Sequence, residues 1–259
     1  MIEVRGLTKR YGSLTALDGL DLSIGRGEWL LYLGLNGAGK STTMKLLTGL
    51  AERSAGAAEV AGFDPWSQGA ALRRVVGYLP EDFRPYDYLT GRENLQFVGD
   101  MHGLRRRERD RRADSLLELF GLADVGGQST QEYSHGMRKK LGLAAALIHE
   151  PAVLLLDEPT AELDPRASAL VRGVLRGLAD HGVTIMMSTH ILGTAEKQCD
   201  RVGILHRGRL ALLGTTAELL AESPGLSLEE VFLELTGQAD EDELRRYLGE
   251  RRDGESPPP

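Results

Sequence analysis

The chain has 259 residues, of which 41% are hydrophobic and 27% charged, and its formal net charge is −7. This length and balance predict one large α/β domain, or one core with a smaller insertion, that is long enough to bury a substantial core. The net acidity argues against a dedicated nucleic-acid-binding protein. The single cysteine, Cys199, cannot form an internal disulfide, which fits a reducing, cytosolic compartment.

The first sixty residues predict short strands around one strand–loop–helix unit. Strands are predicted at 2–5, 20–24 and about 57–62, and the first two flank the turn-rich stretch KRYGS. WLLYL at 29–33 is continuously apolar, which is typical of a strand buried on both faces of a sheet. A helix is predicted from Ser41 to Leu50, with Gly49 ending it.

The middle of the chain changes from a strand to helices and back. RRVVGYLP at 73–80 predicts a strand that ends at a proline, and about 90–149 predicts an inserted helical subdomain. VLLLDE and VTIMMSTH restore the buried-strand pattern on either side of a helix from Pro165 to about Ala179.

The last sixty residues predict a hairpin, a helix and a tail. RVGILHRGRLALLG at 201–214 predicts a hairpin that turns near Arg207, and Ser227 with Glu230 forms the capping-box pattern at the start of the 227–237 helix. Residues 238–259 are predicted to add a short helix and a disordered tail. The N-terminus has no apolar signal segment and the aliphatic runs are too short to span a bilayer, so any membrane contact is expected through a partner.

GLNGAGKS at 34–41 matches the phosphate-loop pattern G-x-x-x-x-G-K-[ST], with a buried strand before it and a helix after it. Glycines let the loop N–H groups converge on phosphate oxygens, Lys40 is expected to reach the β- and γ-phosphates, and the Ser41 hydroxyl is expected to bind Mg²⁺. A purely structural glycine turn is the alternative, which the strand–loop–helix context disfavours. The nucleotide contacts predicted in this segment are Asn36, Gly37, Gly39, Lys40, Ser41 and Thr42.

Two carboxylates end the buried strand AVLLL. Ligands of open parallel sheets bind at the carboxyl ends of the strands, so Asp157 is expected to hold Mg²⁺ and Glu158 to orient or deprotonate the attacking water. A solvated pair of strand-end carboxylates is the alternative, and the phosphate loop in the same chain makes the functional interpretation the stronger one.

A second helix start suited to an anion lies far downstream, at YSHGM, residues 133–137. Ser134 is placed as its N-cap, and the free N–H groups of a helix start attract anions. His135 is expected to pack at an interface, and direct contact with the nucleotide is its alternative role.

Together these motifs resemble those of the nucleotide-binding subunit of ABC transporters, over nearly all of the chain from Val4 to about Gly237. GLNGAGKS resembles the Walker A loop and VLLLDE the Walker B strand, YSHGM stands in the place of the signature LSGGQ, and AELD at 161–164 resembles the D-loop. The resemblance implies an α/β fold, namely a P-loop NTPase core with a mostly parallel sheet, an N-terminal antiparallel β subdomain and the inserted α-helical subdomain. The ATPase domain would span 1–237.

The resemblance also implies roles for single residues. His190 would be the switch histidine near the γ-phosphate, and Tyr11 would stack on the adenine. Asp164, an N-cap before a proline, would take part in communication between two ATP sites. Glu81 stands where most members have the Q-loop glutamine and would face Mg²⁺ or its water. The predicted catalytic residues are thus Glu158, His190 and Lys40, and the metal-binding residues are Ser41, Glu81 and Asp157.

Three departures from the family pattern lie in the phosphate loop, at the Q-loop position and in the signature. Leu35 replaces a proline of the phosphate loop, and Glu81 adds a negative charge near the γ-phosphate. His135 and Met137 change the signature, whereas its Ser134 hydroxyl and the backbone N–H of Gly136 remain for the γ-phosphate bound by the opposing subunit. These changes bear on the efficiency of hydrolysis more than on ATP binding.

The resemblance favours the branch that serves exporters of drugs, antibiotics, lipids or polysaccharides. It implies that two ATPase subunits, forming a homodimer, face head to tail and drive a transmembrane permease subunit, with ATP and Mg²⁺ as cofactors and no nucleic acid as partner. The expected location is the cytoplasmic face of the cell membrane, held peripherally through the permease.

Two alternatives stay open. One is a nucleotide-binding regulatory module with low turnover, motivated by Glu81, His135 and Met137. The other is a soluble ABC ATPase that acts on nucleic acid or ribosomes. The net acidity, the single cassette and the lack of a coiled-coil insertion disfavour this second alternative.

Overall fold

The computed structural model describes residues 1–190, 198–221 and 225–237. Within them, the strands are β1 (Ile2–Tyr11), β2 (Leu14–Ile24), β3 (Trp29–Leu33), β4 (Ala55–Val60), β5 (Val76–Leu79), β6 (Val153–Asp157), β7 (Thr184–Thr189), β8 (Arg201–His206) and β9 (Arg209–Gly214). The helices are α1 (Lys40–Leu47), α2 (Gly69–Leu72), α3 (Gly91–Met101), α4 (Arg106–Leu119), α5 (His135–Leu147), α6 (Pro165–Asp180) and α7 (Thr216–Ala221), and residues 228–237 are also helical. None of the helices in these ranges has the length and apolar character needed to cross a bilayer.

The central layer is a six-stranded sheet with the order β5-β6-β7-β3-β8-β9. Its strands are parallel except for β9, which pairs antiparallel with β8. Every residue of β3, β6 and β7 is buried, as their continuous apolar runs predict for strands covered on both faces. The parallel alignment brings the carboxyl ends of β3, β6 and β7 to one edge, where the phosphate loop and Asp157 follow.

A separate three-stranded antiparallel sheet, with the order β2-β1-β4, forms the N-terminal layer. The first two strands extend much further than the predicted 2–5 and 20–24, because β1 runs through KRY to Tyr11 and only Gly12 and Ser13 form the turn. The sequence pattern missed this extension because residues near the turn are exposed and polar, so they carry no apolar alternation. The predicted α/β fold class, with its mostly parallel core sheet and antiparallel N-terminal sheet, is confirmed.

Three long helices occupy the stretch 90–149. Helix α3 begins at a capping box, in which the Thr90 hydroxyl accepts from the Glu93 N–H and the Glu93 carboxylate accepts from the Thr90 N–H. The strand predicted at 73–80 is shorter than expected, because α2 and the turn after it precede Val76.

The end of the described chain follows the sequence pattern. The β8–β9 hairpin turns at Arg207 and Gly208, whose φ angles of 47° and 78° fit a type I′ turn. The Ser227 hydroxyl and the Glu230 carboxylate form the predicted capping box. The predicted short helix and tail at 238–259 lie outside the described residues.

A stacked pair of histidines joins α3 to the end of α5. The rings of His102 and His149 lie 3.7 Å apart at an angle of 9°, and His149 Nε2 lies 3.1 Å from the carbonyl oxygen of Val76. Burial, and then the charges of His102 and Arg112, lower the pKa of His149 to about 4, against the hydrogen bond to Val76. The neutral imidazole is therefore the form that the fold favours.

We expect this pair to make folding stability fall on acidification. Because folding lowers the pKa of His149 from 6.5 to about 4, the unfolded chain takes up the proton first. The stabilisation that the neutral His149 contributes to the fold is complete above pH 6.5 and is lost as the pH falls toward 4. With allowance for partial solvent screening, we expect a loss of about 1–2 kcal/mol.

Urea unfolding at neutral and at acidic pH measures this loss. The variant His149→Gln should reduce the difference between the two free energies of unfolding. The exposed His181, changed to Gln, serves as the matched control and should leave the difference as in the parent chain. If His149→Gln shows the same difference in unfolding free energy between neutral and acidic pH as the parent chain, His149 is not the source of the pH dependence.

Candidate nucleotide-binding site

A cavity of about 590 Å³ opens at the carboxyl ends of β3 and β6. It is bounded by the phosphate loop, by the ends of two strands and by the turns after β1 and β8. Its lining residues are Tyr11, Leu14, Thr15, Ala16, Leu35, Asn36, Gly37, Gly39, Lys40, Ser41, Thr42, Glu81, Asp157, Glu158, Arg207 and Gly208. Most of the residues that the sequence predicted for ATP and Mg²⁺ therefore share one cavity.

The phosphate loop takes its shape from left-handed glycines. Gly37 and Gly39 have φ angles of 81° and 113°, which residues with a side chain rarely adopt. A Cβ atom on Gly39 would lie 2.6 Å from the carbonyl oxygen of Ala16, so the loop could not pack against β2 with any other residue there. Gly39 is the N-cap of α1 without a side-chain cap, which leaves the first N–H groups of the helix for an anion.

Lys40 holds a positive charge at the centre of this loop. The side chain is buried, and its Nζ donates to the carbonyl oxygens of Gly34 at 2.6 Å and of Leu35 at 3.2 Å. Nζ also lies 4.0 Å from Glu158 Oε1. Burial lowers the pKa of Lys40, and the carboxylates of Glu158, Asp157 and Glu81 oppose that shift. The ammonium is thus drawn to negative charge in a poorly solvated place, as a phosphate-binding group requires.

Glu158 connects the strand ends to His190. Its side chain is buried, Oε1 lies 2.8 Å from His190 Nδ1, and Oε2 accepts a hydrogen bond of 3.0 Å from the Thr189 hydroxyl. Its backbone has a φ of 49°, a left-handed conformation that is strained for a residue with a side chain. Two neighbours from the end of β7 therefore fix a carboxylate that faces the cavity.

Asp157 lies deeper at the end of β6 and is 1% exposed. The Ser188 hydroxyl of β7 donates to its Oδ1. Asp157, Ser41 and Glu81 line the same cavity, and carboxylate and hydroxyl oxygens are the ligands that Mg²⁺ prefers. The donor set therefore fits the metal that the phosphate loop implies.

Tyr11 lies at the other end of the cavity, 48% exposed, with Lys9 Nζ 4.7 Å from the centre of its ring. The ammonium covers the ring by a cation–π contact, and the cavity-lining part of the ring remains available for a flat partner.

Four of the predicted site residues are not among those that line this cavity: Ser134, Gly136, Asp164 and His190. Ser134 is exposed and caps α5 by accepting from the Met137 N–H at 3.3 Å, and Gly136 lies in the first turn of the same helix. Asp164 caps α6, where its Oδ1 accepts from the Ala167 N–H at 2.8 Å. His135 Nδ1 lies 3.8 Å from Glu162 Oε2, with both side chains exposed.

Several cavity residues were missed by the sequence interpretation. The turn at Arg207 and Gly208 was predicted, but not its position against the phosphate loop, where the Gly208 N–H donates to the Ala38 carbonyl oxygen at 2.9 Å. Thr15 and Ala16 line the cavity from β2. The sequence gives no signal for them, because their role depends on how the two sheets pack.

Comparison with known proteins agrees with this arrangement. Residues 17–161 match the family model described as ABC transporter. The chain is 44% identical to the daunorubicin resistance ATP-binding protein DrrA3 of Streptomyces coeruleorubidus, over 90% of this chain and 74% of that protein. It is 33% identical to the linearmycin resistance ATP-binding protein LnrL of Bacillus subtilis (strain 168), over 87% of this chain and 72% of that protein.

A solved structure described as the ATP binding subunit of an ABC transporter matches 91% of this chain and 99% of its own, with 35% identity and a TM-score of 0.85. The family match, the level of identity and the cavity geometry lead to one conclusion: the chain belongs to the ABC transporter family, as an ATP-binding subunit that hydrolyses ATP.

Proposed function

We propose that this chain powers an exporter of drug-like or antibiotic-like organic compounds, whose pathway is formed by a separate transmembrane permease subunit. Relatives named for resistance to daunorubicin and to linearmycin support this class of cargo. The chain itself supplies the work through ATP binding and hydrolysis, at the cytoplasmic face of the membrane, and reaches the membrane through its partner.

In the proposed site, the N–H groups of the phosphate loop and the Lys40 ammonium bind the β- and γ-phosphates, and Tyr11 stacks on the adenine. Glu158 accepts the proton of the attacking water, because its buried carboxylate faces the phosphate region. His190, 2.8 Å from Glu158, orients that carboxylate and senses the γ-phosphate.

Ser41, Asp157 and Glu81 are the residues that would hold Mg²⁺, directly or through water. The ion would neutralise charge on the phosphate oxygens and orient them for displacement. The hydroxyl of Ser188 keeps Asp157 turned toward its strand end, and this contact fixes one of the carboxylates before the nucleotide binds.

The observation that carries the proposal is the separation of the two anion-binding helix starts. The start of α1 opens into the cavity with Lys40, whereas Ser134 and Gly136 at the start of α5 do not line it. An exposed helix start that carries a serine hydroxyl fits a γ-phosphate held by another copy of the chain. Two copies facing head to tail would make two composite sites, and ATP would close them.

A second cavity, of about 480 Å³, is the proposed docking surface for the permease. It lies between the loop after β5 and α5, and it shares Glu81 with the nucleotide cavity. Beside it the large side chains of Tyr86 and Tyr88 are 57% and 92% exposed and offer aromatic surface to a partner. A partner segment bound there would contact Glu81, which also lines the nucleotide cavity, and could therefore respond to nucleotide binding.

The experiment is to purify the tagged chain together with its permease, to reconstitute the complex in vesicles and to measure ATP hydrolysis and the transport of an anthracycline dye. Hydrolysis that rises with the permease and drives ATP-dependent dye transport supports the proposal. Near-zero rates in both the parent complex and the Glu158→Gln complex would instead favour the regulatory module with low turnover.

A further inference from the structure

Lys139 is a buried lysine on α5, five positions after Ser134. It is only 8% exposed, and its Nζ donates a hydrogen bond of 2.8 Å to the backbone carbonyl oxygen of Glu81. Lysine is rarely buried unless its charge has partners, because removing an ammonium from water is costly. The position of Lys139 therefore calls for a partner of opposite charge.

Four carboxylates act on this ammonium. Burial lowers the pKa of Lys139, and Glu162, Glu81, Asp157 and Glu158 oppose the shift, in that order of effect. Three of them, Glu81, Asp157 and Glu158, line the nucleotide cavity, whereas Glu162 lines only the second cavity. Lys139 also lines the second cavity and not the nucleotide cavity. Its charge therefore acts on the three carboxylates from outside the nucleotide cavity.

Glu81 is the residue that both cavities share. Its backbone is held by Lys139, and Glu81 is exposed, whereas Asp157 and Glu158, the other two acids of the nucleotide cavity, are buried. An acid at this place repels the phosphates of ATP, and nearby cations, the proposed Mg²⁺ among them, offset that repulsion. Lys40 donates to the phosphate loop and lies 4.0 Å from Glu158, and Lys139 is the other buried lysine of the described residues.

We infer that Lys139 is a positioning residue of the nucleotide site, which holds the loop of Glu81 against α5 and offsets the negative charge of Glu81, so that MgATP binds beside that carboxylate. The inference rests on the proposed nucleotide site. It also links α5, which Ser134 caps, to the loop of Glu81 at the nucleotide cavity of the same chain by one hydrogen bond.

The test is a double-mutant cycle on the binding of MgATP to the full-length chain, measured by isothermal titration calorimetry. Lys139→Gln keeps a side-chain donor but removes the charge, and it should weaken binding about tenfold. In the Glu81→Gln background the same change should weaken binding less than about threefold, because the charge that needs an offset is gone. Lys139→Arg, which keeps the charge, should bind within about twofold of the parent chain.

Lys140→Gln is the matched control, since Lys140 is the next residue of α5 and its side chain makes no hydrogen bond or ion pair with the described parts of the chain. It should leave the affinity unchanged. Equal losses from Lys139→Gln in the parent and Glu81→Gln backgrounds would overturn the inference, as would a loss that disappears only in the Glu162→Gln background. If Lys139→Gln fails to fold, a Lys139→Arg chain that binds tenfold more weakly would also overturn it.

Binding to the isolated chain separates this inference from the proposed function. A chain that binds MgATP normally but drives no transport would refute the exporter proposal. The double-mutant cycle of Lys139 and Glu81 could still be measured on such a chain. Conversely, if the transporter is active but the effects of Lys139→Gln and Glu81→Gln on MgATP affinity simply add, only the role of Lys139 would be refuted.

Discussion

Replacing Glu158 with Gln is expected to lower kcat for ATP hydrolysis by about 10²- to 10³-fold, while the affinity for MgATP stays within about threefold. Gln keeps the size of the side chain and an oxygen that can accept from the Thr189 hydroxyl. It loses the basic carboxylate that takes the proton of the attacking water. ATP therefore remains bound, and dimers closed by ATP should accumulate, which size-exclusion chromatography in ATP can measure.

The matched control for this variant is Glu150→Gln. The Glu150 side chain is 70% exposed and pairs with Arg112 on the helical layer, away from the cavity. Its removal should leave kcat and the oligomeric state in ATP as they are. A Glu158→Gln chain that hydrolyses ATP at the parent rate would remove Glu158 from its proposed role.

Replacing Lys40 with Met is expected to weaken MgATP binding by about 10²-fold, equivalent to about 3 kcal/mol. The loss combines the missing charge-assisted contact to phosphate with the repulsion from Glu158, 4.0 Å from the position of Nζ, which would then lack its cationic neighbour. Hydrolysis should fall at least as much, because the γ-phosphate is no longer held.

Calorimetric titration with MgATP measures this loss, and Lys45→Met provides the control. Lys45 is an exposed lysine of the same helix, so its replacement changes the helix charge without touching the loop. Both variants should unfold at similar temperatures. Parent-like affinity in Lys40→Met would contradict the assignment of the cavity as the phosphate site.

The strand–loop–helix unit was predictable because its signals are local. WLLYL is apolar throughout, and GLNGAGKS has glycines where the backbone must turn. The buried strand and the phosphate loop can therefore be predicted from their own residues, without knowledge of the tertiary structure. The strand end at Asp157 was predictable for the same reason, since carboxylates after a buried apolar run meet at the ligand-binding edge of a parallel sheet.

The contacts between distant segments were not predictable. Nothing in KRYGS shows that β1 continues to Tyr11, because its hydrogen bonds go to β2 and β4 and not to a local pattern. The hydrogen bond from Lys139 to Glu81 joins residues 58 positions apart. The sequence marks Lys139 only as one cation of RKK, and its burial follows from packing between α5 and the loop after β5.

In the proposed dimer, each ATP is held between Lys40 of one copy and Ser134 of another. Mixed complexes of Lys40→Met and Ser134→Arg subunits, carrying different tags and purified through both tags with the permease, test it most directly. Each variant alone should be inactive, because every composite site of its homodimer contains the substitution. The mixed dimer has one site with both substitutions and one with neither, so ATP hydrolysis should reappear. Mixed dimers that stay as inactive as the two homodimers would contradict the head-to-tail arrangement.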